Sequence, residues 1–344
     1  MKESEMNRGL ILAICSLALL ALSNCAQPTD PAQADEVLQV VYESRTHGYA
    51  MDIYVGDDNV YVAEDQAGFS IYNHQLEQLS YTYYQGMFEN MRLIQAVEEV
   101  DLLFIYDRFG SPAQYRLFDV SDPVQPNLFD SITTNTARTN DFKLFLKEDG
   151  NIEIFWVRYD GGGQIFHALY NYDENSGTWS WGGIQHSSTH HFTVFGFDVD
   201  DDYIYVTSEQ LGLYIIDKET HNIVGNVTTI GQAIDVKVVD NLAYVACKEE
   251  GLSIIDVSDP TEPHILSEKN TSGWAQSVDV QDGLVAIGSG GGGAYLFDAS
   301  EPTAPIQIGR VTSSRIGYTY SVMFHGNRVY ASTKTGIYAL GIDY

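Results

Sequence analysis

Residues 232–273, QAIDVKVVDNLAYVACKEEGLSIIDVSDPTEPHILSEKNTSG, contain four short runs in which apolar and polar residues alternate. Ile234, Val236 and Val238 alternate with Asp235 and Lys237, and Asp240-Asn241 supplies a tight turn into Leu242 to Cys247. A Lys-Glu-Glu-Gly loop then leads to Leu252 to Val257, and Asp259-Pro260 starts the turn into His264 to Glu268. A period of two with turn residues between the runs is the pattern of an antiparallel meander, whose strands we letter a to d. Four strands cannot bury both faces of their own sheet, so such a unit needs neighbours.

The neighbours are present. Units of the same design span residues 49–86, about 90–136, about 139–185 and 274–317, and a further one begins near Val194. The last, 318–344, supplies strands a, b and c and then stops, while Val37 to Ser44 reads as a strand without a hairpin partner. Repetition every forty residues or so with four strands per unit favours a propeller. Pairing the orphan strand into the last unit would close the ring without an open sheet edge. The expected fold is all-β: a seven-bladed β-propeller of four-stranded antiparallel blades over residues 35–344, closed by an N-terminal strand that completes the last blade. Any helix is expected only in the leader.

The recurring phrases Leu252-Ser253-Ile254-Ile255-Asp256 and Leu213-Tyr214-Ile215-Ile216-Asp217 resemble the LVIVD repeat of bacterial and archaeal surface proteins, as does Asp256-Val257-Ser258-Asp259-Pro260. The resemblance is good in the fifth and sixth units and poor in the third. It implies a β-propeller at the cell surface or in the envelope, and it brings no catalytic residues with it.

The first residues carry an address. Leu10 to Leu22 is too short for an ordinary transmembrane helix and suits the core of a signal peptide. It leads into Leu22-Ser23-Asn24-Cys25, which resembles a bacterial lipobox with Asn in place of the usual Gly or Ala. Translation from Met6 would leave Arg8 alone and give the leader a positive start. The expectation is therefore a signal peptide over 1–24, then acylated Cys25 and a flexible tether over 25–34, with the chain held in the bacterial envelope, at the outer membrane or cell surface or on the periplasmic side. Of the three cysteines only Cys247 would remain free, as a small buried hydrophobe.

Lys and Arg number 18 against 47 Asp and Glu, a net charge of −29, so nucleic acid and anionic lipid surfaces are poor partners for the folded part. The Asp198 to Asp202 run looks like calcium chemistry, but it occupies the a–b turn filled by Asp57-Asp58-Asn59, Asp240-Asn241 and Asp282-Gly283 in other units. His186, His190 and His191 form a weak metal candidate in what reads as a polar loop. Gly290 to Gly293 reads as a flexible b–c loop. No nucleophile elbow or phosphate loop is present, and no cofactor is implied.

Two functions fit. The first is a monomeric, envelope-anchored binding or scaffold propeller recognising a protein or glycan partner, with the Cys25 lipid as its one membrane contact. The second is a carbohydrate-active hydrolase or lyase using the axial funnel, which converging carboxylates and histidines at the axis would favour. In a propeller whose strands run a to d outward, the d–a and b–c loops share one side, while the a–b and c–d turns share the other. The former carry His47, Tyr49, Tyr106, Arg108, Phe109, Arg158, Tyr159, Trp274, Arg315 and Tyr318, and Arg with exposed aromatics is what recognition surfaces use.

Overall fold

A computed structural model describes residues 37–83, 90–108, 114–133, 139–159 and 162–344. Cys25, the leader and the tether lie outside the described residues, as does Phe109. Among the described residues, twenty-eight strands form seven four-stranded antiparallel sheets, each a blade. Blades 1 to 6 take consecutive strands from residues 52–82, 91–133, 139–190, 197–227, 235–269 and 277–311. Blade 7 combines Thr319–His325, Arg328–Thr333 and Gly336–Ile342 with the N-terminal strand Leu38–Ser44. The first strand of every blade neighbours the first strands of the blades before and after it, so the seven a strands surround the axis.

The alternation that marks the strands also builds the core. One face of each blade packs on the next, giving seven separate hydrophobic clusters, one per blade-to-blade interface. Tyrosines at strand-b positions fill these interfaces and keep a hydroxyl partner at the edge. Tyr61 donates to Glu98 Oε1 at 3.0 Å, Tyr205 to Asp200 Oδ2 at 2.8 Å and Tyr330 to the His74 carbonyl at 3.0 Å.

The closing strand pairs antiparallel with Gly336–Ile342, from Leu38 opposite Ile342 to Ser44 opposite Ile337. Leu38 is buried in the cluster between blades 6 and 7, beside Leu296, Val311 and Leu340.

Three local features differ from the sequence reading. Short helical turns occur outside the leader, at Glu98–Val100 and Ser313–Ile316, each bridging two strands. The QHSSTHH segment is not a loop, because the d strand of blade 3 runs unbroken from Thr178 to His190. The Gly290–Gly293 loop is packed tightly: a Cβ on Gly292 would lie 1.6 Å from the Ser272 carbonyl oxygen, so only glycine fits.

If the N-terminal strand holds the ring, truncating its buried anchor should weaken the whole domain. Leu38→Ala is expected to lower the unfolding free energy by about 3 kcal/mol, read by chemical denaturation; an unchanged midpoint would mean that closure contributes nothing.

Candidate functional site

The a strands enclose an axial cavity of about 310 Å³, lined by side chains from all seven blades. Being innermost, each a strand has a sheet edge turned to the axis, where alternate N–H groups have no strand to pair with. Side chains of the preceding blade accept these bonds. The Ile94 N–H donates to Asp52 Oδ2 at 3.0 Å, Leu144 to Gln95 Oε1 at 3.1 Å and Phe197 to Asp141 Oδ2 at 3.3 Å. Val238 donates to Asp198 Oδ2 at 2.8 Å, Val278 to Asp235 Oδ2 at 2.9 Å and Phe324 to Asp279 Oδ2 at 2.7 Å. Between blades 7 and 1 the acceptor is the Met323 sulfur, 3.2 Å from the Val55 nitrogen.

Lys143 lies among these carboxylates, with Nζ 3.6 Å from Asp141 Oδ2. Burial opposes its ammonium, but Asp141, Asp198, Asp235 and Asp52 outweigh that cost and its pKa rises. Burial also pushes the Asp235 carboxyl up to about 7, against the pull of Lys143, and the Asp52 carboxyl up to about 6. Asp141 and Asp279 are raised for the same reason.

The two rims of the disc differ. On the a–b/c–d side, aspartates close their own turns: Asp119, Asp256 and Asp298 each accept the N–H and hydroxyl of the serine two residues on, at 2.9 and 2.6 Å. These carboxyls are held below the usual range by those bonds. On the d–a/b–c side, large side chains stand in solvent. Tyr49 is 45% exposed, Tyr159 44% and Trp274 51%. The ammonium of Lys248 lies 5.8 Å from the Trp274 ring and bonds Glu209 and Gln232. Arg315 is also exposed, with Nη1 2.7 Å from Glu43 Oε2.

Other expected members of this face are less available. Tyr106 is fully buried and its hydroxyl accepts the Thr139 N–H at 2.8 Å, because strand b extends through Asp107 and carries it inside. Arg108 and Arg158 are half-buried, and the Arg158 guanidinium lies over Phe166 and bonds Gln164. Tyr318 is half-buried and leans on Gly290.

Comparison with known proteins agrees with this architecture. The LVIVD repeat matches residues 47–71 and 230–271. Those two stretches, in blade 1 and blade 5, match the repeat, and the rest of the chain does not share the match. No curated protein sequence matches it. Among solved structures, the computationally designed Ika8 protein is similar to 88% of this chain and 99% of its own, with a TM-score of 0.64 at 10% identity, a likeness of fold alone.

In this propeller the histidines of blade 3 meet one from blade 4. The His186 and His221 rings are 3.8 Å apart, and Ser188 Oγ lies 3.1 Å from His221 Nδ1 and 3.0 Å from His190 Nε2. Burial, then the neighbouring imidazoles, pushes His221 down to about 4. His191 is exposed on its own, outside the trio. Among the described residues, no group of three or more His, Cys, Asp or Glu side chains is arranged to hold a metal ion. Cys247 is buried, and burial pushes its thiol up to about 11.

The axial carboxylates carry no sequence motif, yet a signal existed: Asp52, Asp141 and Asp235 each precede an inward-facing Ile, Phe or Val in strand a. Their protonation sets a sign. Asp235 has a folded pKa above its unfolded value of about 4, so between those values the native state binds the extra proton. Its contribution to stability is present at low pH and is lost as pH rises through about 7. Asp235→Asn should therefore gain stability relative to the natural chain as pH goes from 5 to 8, measured as the difference of the two unfolding curves. A constant difference would contradict the assignment.

Proposed function

We propose that this chain is an envelope-anchored binding propeller that recognises a protein or glycan partner through its d–a/b–c face. The observation carrying the reading is the asymmetry between the rims. Carboxylates on the a–b/c–d side close their own turns, whereas Tyr49, Tyr159 and Trp274 are exposed on the other. Rigid aromatics give contact area with few rotors to freeze on binding. Alanine at Tyr159 or Trp274 should weaken partner binding about tenfold or more with the melting temperature preserved. Equal losses from Asp57→Ala or Asp240→Ala on the opposite rim would defeat the assignment. Partners recovered with the full chain from native membranes supply the assay.

The direction of the closing strand adds to this reading. Leu38 lies opposite Ile342, so that strand begins on the a–b/c–d side and runs toward the other rim. A tether over residues 25–34 would then join the disc on its turn-rich side and point the aromatic face away from the membrane. The anchor has its own test: Cys25→Ala should move the protein from the membrane fraction to the soluble one. Partition of the natural chain into the aqueous phase on detergent extraction would remove the anchor.

A second reading, a carbohydrate-active hydrolase or lyase at the axis, has one observation in its favour. Asp235 and Asp52 have pKa values near those useful to a general acid or base. Binding is preferred because the two carboxylates already accept the N–H groups of Val278 and Ile94, bonds that the barrel of a strands needs.

A further inference from the structure

A groove of about 740 Å³ opens on the d–a/b–c face where blade 7 meets blade 1. Its walls come from the segment that leaves the closing strand (Thr46 to Tyr49), the b–c loop of blade 1 (Asp65 to Ala67), the end of that blade's d strand (Tyr81 and Tyr83) and the b–c loop of blade 7 (Lys334 and Thr335). Tyr81 is 40% exposed and Tyr83 47%. The aliphatic side chains that an apolar ligand or a peptide anchor would seek are lacking: nothing in the lining is larger than alanine except aromatic and polar groups.

The aromatic floor is held in place from beneath. The His47 ring stacks on Tyr81 with centroids 3.6 Å apart and an interplanar angle of 13°. Its Nδ1 lies 3.3 Å from Oε2 of Glu64, a fully buried carboxylate. The same oxygen accepts the His47 and Gly48 N–H groups at 2.6 and 3.3 Å, fixing the backbone that presents Tyr49. Lys334 Nζ lies 5.3 Å from the centre of the Tyr49 ring. Asp65 is tied to blade 2, where Asn90 donates to its carboxylate.

We propose that this groove binds a neutral glycan. A pyranose has an apolar face of C–H bonds that lies flat on an aromatic ring, and a rim of hydroxyls that both donate and accept. Tyr49, Tyr81 and Tyr83 supply the rings. Asp65, Gln66, Lys334 and Thr335 supply acceptors and donors, and the volume is that of an ordinary small-ligand site. Charge decides between glycan classes. Lys334 and Asp65 both line the groove and the chain as a whole is at −29, so a polyuronate would be repelled at long range and only partly compensated on contact.

This assignment rests on the d–a/b–c face being the recognition surface, and the test separates the two. The full chain, in a detergent without sugar headgroups, is titrated with cellotetraose, chitotetraose and tetragalacturonate and followed by saturation-transfer NMR and calorimetry. At least one of the two neutral tetrasaccharides should bind, more tightly than the uronate, and Tyr49→Ala and Tyr83→Ala should each weaken it about tenfold. Both residues are exposed, so melting temperatures should not move. Val124→Ala, in an exposed c–d turn on the opposite rim, should leave saccharide binding intact. No binding of either neutral probe up to its solubility limit overturns the groove, as does binding of the uronate alone or indifference to both tyrosine variants. If partner binding still falls with Trp274→Ala in those cases, the face survives and only the groove is lost. Saccharide binding lost through Asp240→Ala but not Tyr49→Ala would overturn both.

Discussion

Seven innermost strands each bring an unpaired edge to the axis of this propeller, and every one of those edges must find acceptors. A buried N–H without a partner costs roughly 1–3 kcal/mol, too much to leave at seven junctions. The solution is a relay in which a side chain of one blade caps the inner strand of the next. Asp52, Gln95, Asp141, Asp198, Asp235 and Asp279 do this in turn, and the Met323 sulfur completes the circle. Carboxylates are strong acceptors, but burial raises the pKa values of Asp52, Asp141, Asp235 and Asp279, and Lys143 and Lys237 answer within the same wall. The axis of this protein is thus organised first for assembly, which bears on any attempt to read its acids as catalytic.

The same economy separates the two rims. Turns between a and b, or between c and d, reverse the chain over a few residues, and an aspartate that accepts from the residue two positions on does so without outside help. Such turns are interchangeable and repeat from blade to blade. Connections from d to a must travel from the outer edge of one sheet to the axis of the next, and the adjoining b–c loops pack against them, as at Lys248 opposite Ala275 and Gly290 opposite Thr319. Length and variety accumulate on that side for geometric reasons, and chemistry accumulates there with them.

Much of this was legible in the chain itself. The alternation of Ile234, Val236 and Val238 marks an inner strand, and the missing fourth strand of the last unit together with the surplus one at Val37 to Ser44 gives the closure found between Leu38 and Ile342. Placing strand a at the axis does not by itself reveal that its inner N–H edge must be capped by the preceding blade, so nothing in the alternation sets Asp52 and Asp141 apart from ordinary polar positions. Strand ends were equally hidden. Tyr106 reads as a loop residue, but strand b runs past it and buries it, and the d strand of blade 3 continues through QHSSTHH although its composition is that of a solvated connection. In both places tertiary pairing extends a strand beyond what local composition favours. Tyr81 and Tyr83 sit at the end of the first blade's d strand, and that they also line a groove depends on a loop from the far end of the chain.

That dependence gives the groove its meaning. Lys334 and Thr335 come from the last blade, Asp65 and Tyr81 from the first, and His47 and Tyr49 from the segment by which the closing strand hands the chain on to blade 1. These three parts meet only once the ring is shut. The Glu64 carboxylate makes the coupling local, since it ties the backbone of His47 and Gly48 to the first blade at the point where that segment arrives. A ligand that touches all three parts binds the closed ring and not the open one, so its binding free energy adds directly to the stability of closure. The seam that costs a propeller most to close is thereby the place where occupancy would repay it.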